Sequence, residues 1–222
     1  MFVKACSQIR NAIYGVNGMS QLSPDGTNYT NATAFMIAPG ILVTAAHFIH
    51  VENDISKPIH KLFEAIRTPD IGQNMEVATL IAEDPIRDVS LLRIDNPRSN
   101  AHVVLEPNII PIGTNCGSLG FPLASVTIDQ NRKMFILTER FQGANISSFQ
   151  TQRQTSGRLI PFYETDSLMY AGSSGCPGFL DDARVFGMMI MSIVDPKKMT
   201  HQLGLSCKVI GWRFQFGSLQ WI

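Results

Sequence analysis

The stretch TAFMIAPGILVTAAH, residues 33 to 47, contains two short apolar runs separated by Pro39 and Gly40. Apolar runs of this length, interrupted by proline and glycine, are typical of two strands joined by a tight turn. The stretch therefore predicts a β-hairpin. Its second run leads through two alanines to His47. Because small residues leave the face of an imidazole free, His47 is a candidate functional residue at the end of a strand.

The strand pattern continues along the chain. EVATLIAE, from Glu76, and DVSLLRID, from Asp88, alternate apolar and polar residues as half-buried strands do. Further candidate strands are MFILTERF, RLIPFYETD, RVFGMMIMSIV, LGLSCKVIG and WRFQF. Short strands at this spacing predict an all-β sandwich or barrel. The first residues and SKPIHKLFEAI, residues 56 to 66, favour helices, and residues 96 to 108 suit a crossover between two β units.

Composition and charge exclude several classes of function. The 222 residues include 18 basic and 18 acidic side chains, so the formal net charge is zero and we expect no nucleic acid partner. Apolar runs such as VFGMMIM fall far short of the about 20 residues of a membrane span, so we expect no membrane partner. The N-terminal residues lack the apolar core of a signal peptide, which predicts a cytoplasmic protein. The four cysteines show no C-x-x-C pairing, so we expect no metal site.

The segment YAGSSGCPGF, residues 170 to 179, contains a candidate nucleophile. A serine hydroxyl needs a base to take its proton, and acyl transfer needs backbone N–H groups aimed at the developing oxyanion. Gly172 and Ser174 can supply two such groups if the backbone between them curls into a nest. The G-x-S-G-x-P spacing selects Ser174. Ser173 is not followed by glycine, and Cys176 is followed directly by proline.

The base and the acid that orients it are sought upstream of Ser174. His47 follows the apolar run and the two alanines, whereas His50 lacks that setting and is expected to be a surface or core histidine. Asp88 begins an alternating strand, where a carboxylate can hold the Nδ1 proton of His47 and fix its tautomer. Asp84 precedes a proline and is expected to be a turn residue.

These residues carry a resemblance to the trypsin-like serine proteases of the chymotrypsin fold. The three motifs are T-A-A-H at residues 44 to 47, D-V-S-L-L at residues 88 to 92, and G-S-S-G-C-P at residues 172 to 177. The segments EVATLIAEDPIRDVSLLRI, IIPIGTNCGSLGFP and ETDSLMYAGSSG are most similar to bacterial HtrA/Deg-type proteases. The resemblance implies two six-stranded Greek-key β-barrels, at residues 12–108 and 109–222, with the active site in the cleft between them.

The resemblance also implies roles for named residues. His47, Asp88 and Ser174 would form the catalytic triad, with the N–H groups of Gly172 and Ser174 as the oxyanion hole. The substrate pocket would be walled by five apolar residues: Leu168, Met169, Met188, Met189 and Ile190. Apolar walls predict cleavage after Leu, Val, Met or Ala, and they also admit Phe. Since alternate strand positions face opposite ways, some of these methionines can instead be core residues.

Three residues depart from the family pattern. Ser173 replaces the acidic residue that pairs with a freed N-terminal amine in zymogen-activated members, so activation by a new N-terminus is not expected. Cys176 replaces the second glycine after the nucleophile motif, which places a thiol near the oxyanion turn. Cys116 stands where secreted relatives often keep half of a disulfide, but the partner position is Leu180, so that bridge cannot form. Free thiols fit a reducing compartment.

The leading hypothesis is a serine endopeptidase that acts on a polypeptide substrate and needs no cofactor. A cytoplasmic protease endangers its host, so we expect a regulatory protein partner or self-assembly. The alternative is a catalytically idle or latent trypsin-like fold that acts as a protein-binding module, because a fold alone does not guarantee activity. A cysteine protease that uses Cys176 is disfavoured by the spacing.

Overall fold

The computed structural model describes residues 2–20, 29–70, 74–129, 132–153, 157, 159–167, 170–193 and 206–211. Helices are short in this part of the chain. They are α1 (Val3–Ile9), α2 (Ala46–Ile49) and three single turns of 3-10 helix at Arg10–Ala12, Val51–Asn53 and Thr68–Asp70.

The first six strands form a closed barrel in the order β1-β2-β3-β6-β5-β4. Its strands are β1 (Ile13–Met19), β2 (Tyr29–Ala38), β3 (Ile41–Thr44), β4 (Leu62–Arg67), β5 (Glu76–Asp84) and β6 (Val89–Arg93). All its ladders are antiparallel, and β1 closes the barrel by pairing with β4. The strand segments predicted from residue 33, from Glu76 and from Asp88 are all confirmed.

The remaining strands form a second, larger sheet and a separate hairpin. These strands are β7 (Val104–Leu105), β8 (Asn115–Gly120), β9 (Ser125–Asp129), β10 (Arg132–Ile136), β11 (Arg140–Arg153), β12 (Leu159–Thr165), β13 (Pro177–Phe179), β14 (Arg184–Ile193) and β15 (Ser206–Gly211). The sheet order is β13-β8-β11-β12-β15-β14-β7, while β9 pairs with β10 alone. An additional pairing of β13 with β14 links the first six strands of that order into a ring.

The predicted all-β, two-barrel architecture is confirmed. One local prediction was wrong: residues 62 to 66 of the expected helix SKPIHKLFEAI belong to β4 instead. The crossover segment contributes β7, which runs parallel to β14 in the second sheet. The limits at residues 108 and 109 stay a prediction, and the predicted strand WRFQF lies outside the described residues.

The buried side chains of the described residues form two hydrophobic clusters. The larger one fills the first barrel and extends to Phe121, Phe179 and Met188. The smaller one lies in the second sheet and contains Cys116 and Met189. In the described ranges, every helix is too short or too polar to cross a bilayer. The same ranges hold no group of three or more histidine, cysteine or acidic side chains arranged to bind a metal.

Candidate active site

The β2–β3 hairpin delivers His47 to the mouth of the first barrel. Gly40 takes a φ of +75° in the turn, a conformation that glycine adopts without a Cβ clash. After β3, Ala45 and Ala46 are fully buried, and His47 stands in the single turn of α2. The small alanines let the backbone sit against the core while the imidazole turns outward, as the sequence predicts.

Asp88 stands directly before β6 and contacts His47 twice. Its Oδ1 accepts the backbone N–H of His47 at 2.7 Å, and its Oδ2 lies 2.7 Å from the imidazole Nδ1. Asp88 has a φ of +57°, a left-handed conformation that aspartate tolerates better than most residues. The carboxylate therefore fixes both the position of His47 and the Nδ1–H tautomer.

Ser174 completes the line of hydrogen bonds from the second sheet. Its Oγ lies 3.0 Å from Nε2 of His47. With the proton of His47 on Nδ1, Nε2 is the acceptor and Ser174 the donor. The side chains of His47 and Asp88 are 23% and 18% exposed, so solvent reaches the pair while most of it is covered. The structure thus brings together the three side chains that the sequence singled out.

The competing nucleophiles are placed elsewhere. Ser173 is buried, and its Oγ accepts the backbone N–H of Tyr170 at 3.3 Å. Cys176 is also buried, and burial raises the pKa of its thiol to about 12. A thiol with such a pKa stays protonated near neutral pH and is a poor nucleophile.

The competing acid and base also have other partners. Asp84 accepts the backbone N–H groups of Ile86 and Arg87, both at 3.1 Å, so it is a turn residue as predicted. His50 is buried between the carbonyl of Lys57 and the carboxylate of Glu83, with 2.7 Å to each. Because both ring nitrogens face acceptors, His50 is held as a structural residue.

Four consecutive carbonyl groups in the loop from Ala171 to Gly175 accept hydrogen bonds. Leu123 N–H donates to Ala171 O at 2.7 Å, and Thr33 Oγ1 donates to Gly172 O at 3.1 Å. Cys176 N–H donates to Ser173 O and Thr33 N–H donates to Ser174 O, both at 3.0 Å. In a planar trans peptide the N–H points away from the carbonyl. The Gly172 N–H therefore points away from Leu123, which binds the Ala171 carbonyl, and the Ser174 N–H points away from Cys176, which binds the Ser173 carbonyl. Within the described part of the chain, neither N–H has a hydrogen-bond acceptor.

Two glycines allow this loop to exist. Gly172 has a φ of +88°, and a Cβ there would lie 3.0 Å from the carbonyl oxygen of Phe121. Gly175 has a φ of +84°, and its Cβ would lie 1.8 Å from the carbonyl oxygen of Thr33. Gly175 is thus required by close packing against β2, and the G-x-S-G spacing has a steric cause.

Only part of the predicted substrate pocket falls on described residues. Leu168 and Met169 lie outside the described residues. Met188 and Met189 are both buried, but in different hydrophobic clusters, as expected for adjacent positions on one strand. Ile190 is partly buried and packs against the larger cluster. The assignment of these residues to the pocket stays a prediction.

The sequence model of the trypsin-like peptidase domain family matches residues 32–188, well over half of the chain. This chain belongs to the trypsin-like peptidases. The match spans all three motifs, and it confirms the predicted family and the predicted class of enzyme, a serine endopeptidase. A search of curated proteins found no match to this peptidase.

Solved structures with the same fold include HtrA-type proteases. The active form of the Rv3671c protease from M. tuberculosis aligns with a TM-score of 0.69 and 15% identity, over 93% of the peptidase and 78% of that chain. Its inactive form aligns with a TM-score of 0.68 and 14% identity, over 93% of the peptidase and 86% of that chain. The HtrA-type protease AlgW, solved with a tripeptide, aligns with a TM-score of 0.70 and 17% identity, over 95% of the peptidase and 60% of AlgW. At these identities the likeness establishes the fold.

Sequence reasoning missed the partners that bind the loop from Ala171 to Gly175, here called the oxyanion loop after its predicted role. Thr33 and Leu123 bind three of its carbonyl groups, although Thr33 precedes the loop by more than a hundred residues. A lone threonine in a strand carries no signal for such a role. The departure at Cys176 also has a cause: a Cβ on Gly120 would lie 2.2 Å from the thiol, so the missing side chain of Gly120 makes room for it.

Proposed function

We propose that this peptidase hydrolyses peptide bonds through an acyl-enzyme intermediate, with Ser174 as nucleophile, His47 as base and then acid, and Asp88 as the orienting carboxylate. The observation that carries the proposal is the continuous line of hydrogen bonds from Asp88 Oδ2 through His47 to Ser174 Oγ, with distances of 2.7 Å and 3.0 Å. Each of the three groups has the partner that its role in acyl transfer requires.

In the first half-reaction, Ser174 Oγ attacks the carbonyl carbon of the scissile bond while its proton moves to Nε2 of His47. The carbonyl electron pair moves onto oxygen and gives a tetrahedral oxyanion. When the intermediate collapses, the C–N bond breaks and Nε2 returns its proton to the leaving amine. Asp88 stabilises the transient imidazolium without taking its proton.

The oxyanion is bound by the N–H groups of Gly172 and Ser174. Both groups lack an acceptor within the described chain, and the carbonyls of their peptide units are held by Leu123 and Cys176. Donors that are fixed in advance need no reorganisation when the charge develops. In the second half-reaction, a water attacks the acyl-enzyme as His47 takes its proton, and the partial exposure of His47 is consistent with access by water.

We propose that the substrate is a polypeptide with an apolar residue before the scissile bond. The described part of the pocket, Met188 to Ile190, contains no charged side chain. The acids nearest in sequence are all exposed: Asp166 is bonded to Asn145, Asp182 is paired with Arg184, and Asp181 lies in the same turn as Asp182. A buried cation without a carboxylate partner costs several kcal/mol, which disfavours Lys and Arg.

The decisive experiment combines a fluorophosphonate probe with a peptide cleavage assay. We expect wild type to be labelled at Ser174 and Ser174→Ala to lose both labelling and cleavage while keeping its urea-unfolding curve. Ser173→Ala is the matched control and should keep most activity, because its hydroxyl only accepts the Tyr170 N–H. A folded wild type that is neither labelled nor active would favour a binding module instead.

A further inference from the structure

The side chain of Thr33 lies at the junction between the first barrel and the oxyanion loop. It is fully buried on β2. Its Oγ1 donates to the carbonyl of Gly172 at 3.1 Å and accepts the backbone N–H of Phe121 at 2.9 Å. One hydroxyl therefore connects β2, the residue after β8 and the glycine two residues before Ser174.

The contact with Gly172 matters because of what glycine permits. Gly172 lacks a Cβ and sits at a φ of +88°, so its own backbone places little restraint on the two peptide units that flank it. One of those units carries the N–H predicted to bind the oxyanion. Rotation of this peptide would turn the N–H away and bring a carbonyl in its place. The restraint on Gly172 therefore has to come from outside the loop.

Three hydrogen bonds from outside restrain the loop, and Thr33 makes two of them. Leu123 N–H holds the Ala171 carbonyl, whose peptide unit carries the Gly172 N–H, and Thr33 Oγ1 holds the Gly172 carbonyl, whose peptide unit lies between the two proposed oxyanion donors. The Thr33 backbone N–H then holds the carbonyl of Ser174 at 3.0 Å. The Thr33 carbonyl is itself fixed by Thr44 Oγ1 at 2.7 Å, so the donor is anchored in the barrel.

We propose that the Thr33 hydroxyl is a positioning residue for the oxyanion hole: it fixes the Gly172–Ser173 peptide unit, which joins the two donor peptide units and sets the spacing of the Gly172 and Ser174 N–H groups in the transition state. This inference rests on the proposed function. Thr33 does not touch the substrate, and it acts through Gly172. Its hydroxyl has one proton, and that proton goes to the Gly172 carbonyl in this arrangement.

The test replaces the hydroxyl without changing the shape of the side chain. Thr33→Val should lower kcat/KM by about 10-fold or more, with the about 10²–10³-fold loss for removal of an oxyanion donor as the upper limit. Thr33→Ser keeps the hydroxyl and should restore most of the rate. Thr30→Val is the matched control: Thr30 is buried on the same strand, and its hydroxyl lies 2.7 Å from His60, away from the loop.

The deciding readout is the affinity ratio of two inhibitors with the same apolar peptide sequence. A peptide aldehyde forms a hemiacetal with Ser174 and places its oxygen in the oxyanion hole, whereas the corresponding peptide alcohol does not. Loss of folded protein lowers both affinities equally. We expect Thr33→Val to reduce the aldehyde-to-alcohol ratio by about 10-fold, and Thr30→Val to leave it unchanged even if it lowers stability.

If Thr33→Val does not fold, Thr33→Ala and Thr33→Ser give the same comparison without added bulk, and the serine variant must have the higher ratio. A ratio in folded Thr33→Val, or in Thr33→Ala, equal to that of wild type would overturn the role of Thr33 and leave the proposed function intact. A wild type that fails to react with the fluorophosphonate probe would overturn both.

Discussion

Asp88 holds His47 at two points, the backbone N–H and the imidazole Nδ1, each at 2.7 Å from a different carboxylate oxygen. The two contacts constrain both the start of α2 and the ring that it carries. A single carboxylate thus sets the position of His47 and the nitrogen on which its proton lies. The pair is most sensitive to changes that keep the shape of Asp88 but alter its donors and acceptors.

Asp88→Asn is such a change. The amide oxygen can still accept the His47 backbone N–H, but its NH₂ group would face Nδ1 and move the ring proton to Nε2. Nε2 could then no longer accept the Ser174 proton. We expect kcat to fall about 10⁴-fold in a peptide cleavage assay, with the fold unchanged. Asp84→Asn is the control and should stay close to wild type, since an amide oxygen can still close its turn. If Asp84→Asn is the harmful change, Asp88 is not the orienting acid.

Cleavage specificity should follow the apolar pocket segment. In a mass-spectrometric profile on a peptide library, we expect cuts after Leu, Val, Met, Ala and Phe. Met188 and Met189 are flexible and polarizable side chains, which suits a pocket that adapts to several apolar shapes. A profile dominated by cleavage after Lys, Arg, Asp or Glu would refute the assignment of this pocket.

Gly175→Ala should destabilise the protein more than backbone strain alone predicts. Gly175 and Gly113 have nearly the same φ, +84° and +86°, but a Cβ at Gly113 meets nothing within 4 Å. Gly113→Ala therefore measures the left-handed conformation alone, expected to cost about 1–2 kcal/mol. At Gly175 the added Cβ also meets the Thr33 carbonyl at 1.8 Å. Urea unfolding of both variants, with fluorophosphonate labelling of Ser174, gives the comparison; equal stability losses would mean that β2 yields to the Cβ.

The buried His50–Glu83 pair should make stability depend on pH. Burial lowers the pKa of His50, but hydrogen bonds to the Glu83 carboxylate and the Lys57 carbonyl outweigh it, so the pKa is raised overall. The folded state therefore favours the protonated ring. Its stabilisation is fully present below the unfolded pKa of about 6.5 and is lost as the pH rises through the folded pKa.

Glu83→Gln removes the charge that favours protonated His50. The difference in unfolding free energy between wild type and Glu83→Gln should be largest in mildly acidic solution and should shrink as the pH rises above neutrality. Urea titrations across this range measure it. Glu52→Gln, at an exposed position nearby, is the control and should show no such trend. A difference that grows with pH would show that His50 is held neutral.

Local signals in the sequence predicted many of the strands and the three side chains that meet at the candidate site. The Pro39–Gly40 break and the alternating segment from Asp88 predicted the strands on either side of His47, because both patterns reflect burial on one face of a sheet. The segment from Leu62 to Ile66 was wrongly predicted as helix. Its strand ladders to β1 and β5 close the barrel, and a local pattern does not reveal such distant partners.

The oxyanion loop shows the same limit at the site. The spacing around Ser174 singled out the Gly172 and Ser174 N–H groups, since glycine at fixed positions has a local steric meaning. The Gly172 carbonyl is bound by Thr33, which lies 139 residues before Gly172. Neither segment carries a local sequence signal for this contact. Similarly, the space that Cys176 occupies exists because a distant residue, Gly120, has no side chain.

The order of the three groups along the chain has a consequence for biosynthesis. Every ladder of the first barrel lies between Ile13 and Arg93, whereas Ser174 follows His47 by 127 residues. Since a ribosome releases the amino-terminal part of a chain first, a nascent chain carries the imidazole and carboxylate long before it carries the hydroxyl. Thr33 is likewise translated long before the loop whose carbonyl groups it binds. A chain that is still being translated therefore lacks the proposed nucleophile until Ser174 has been added.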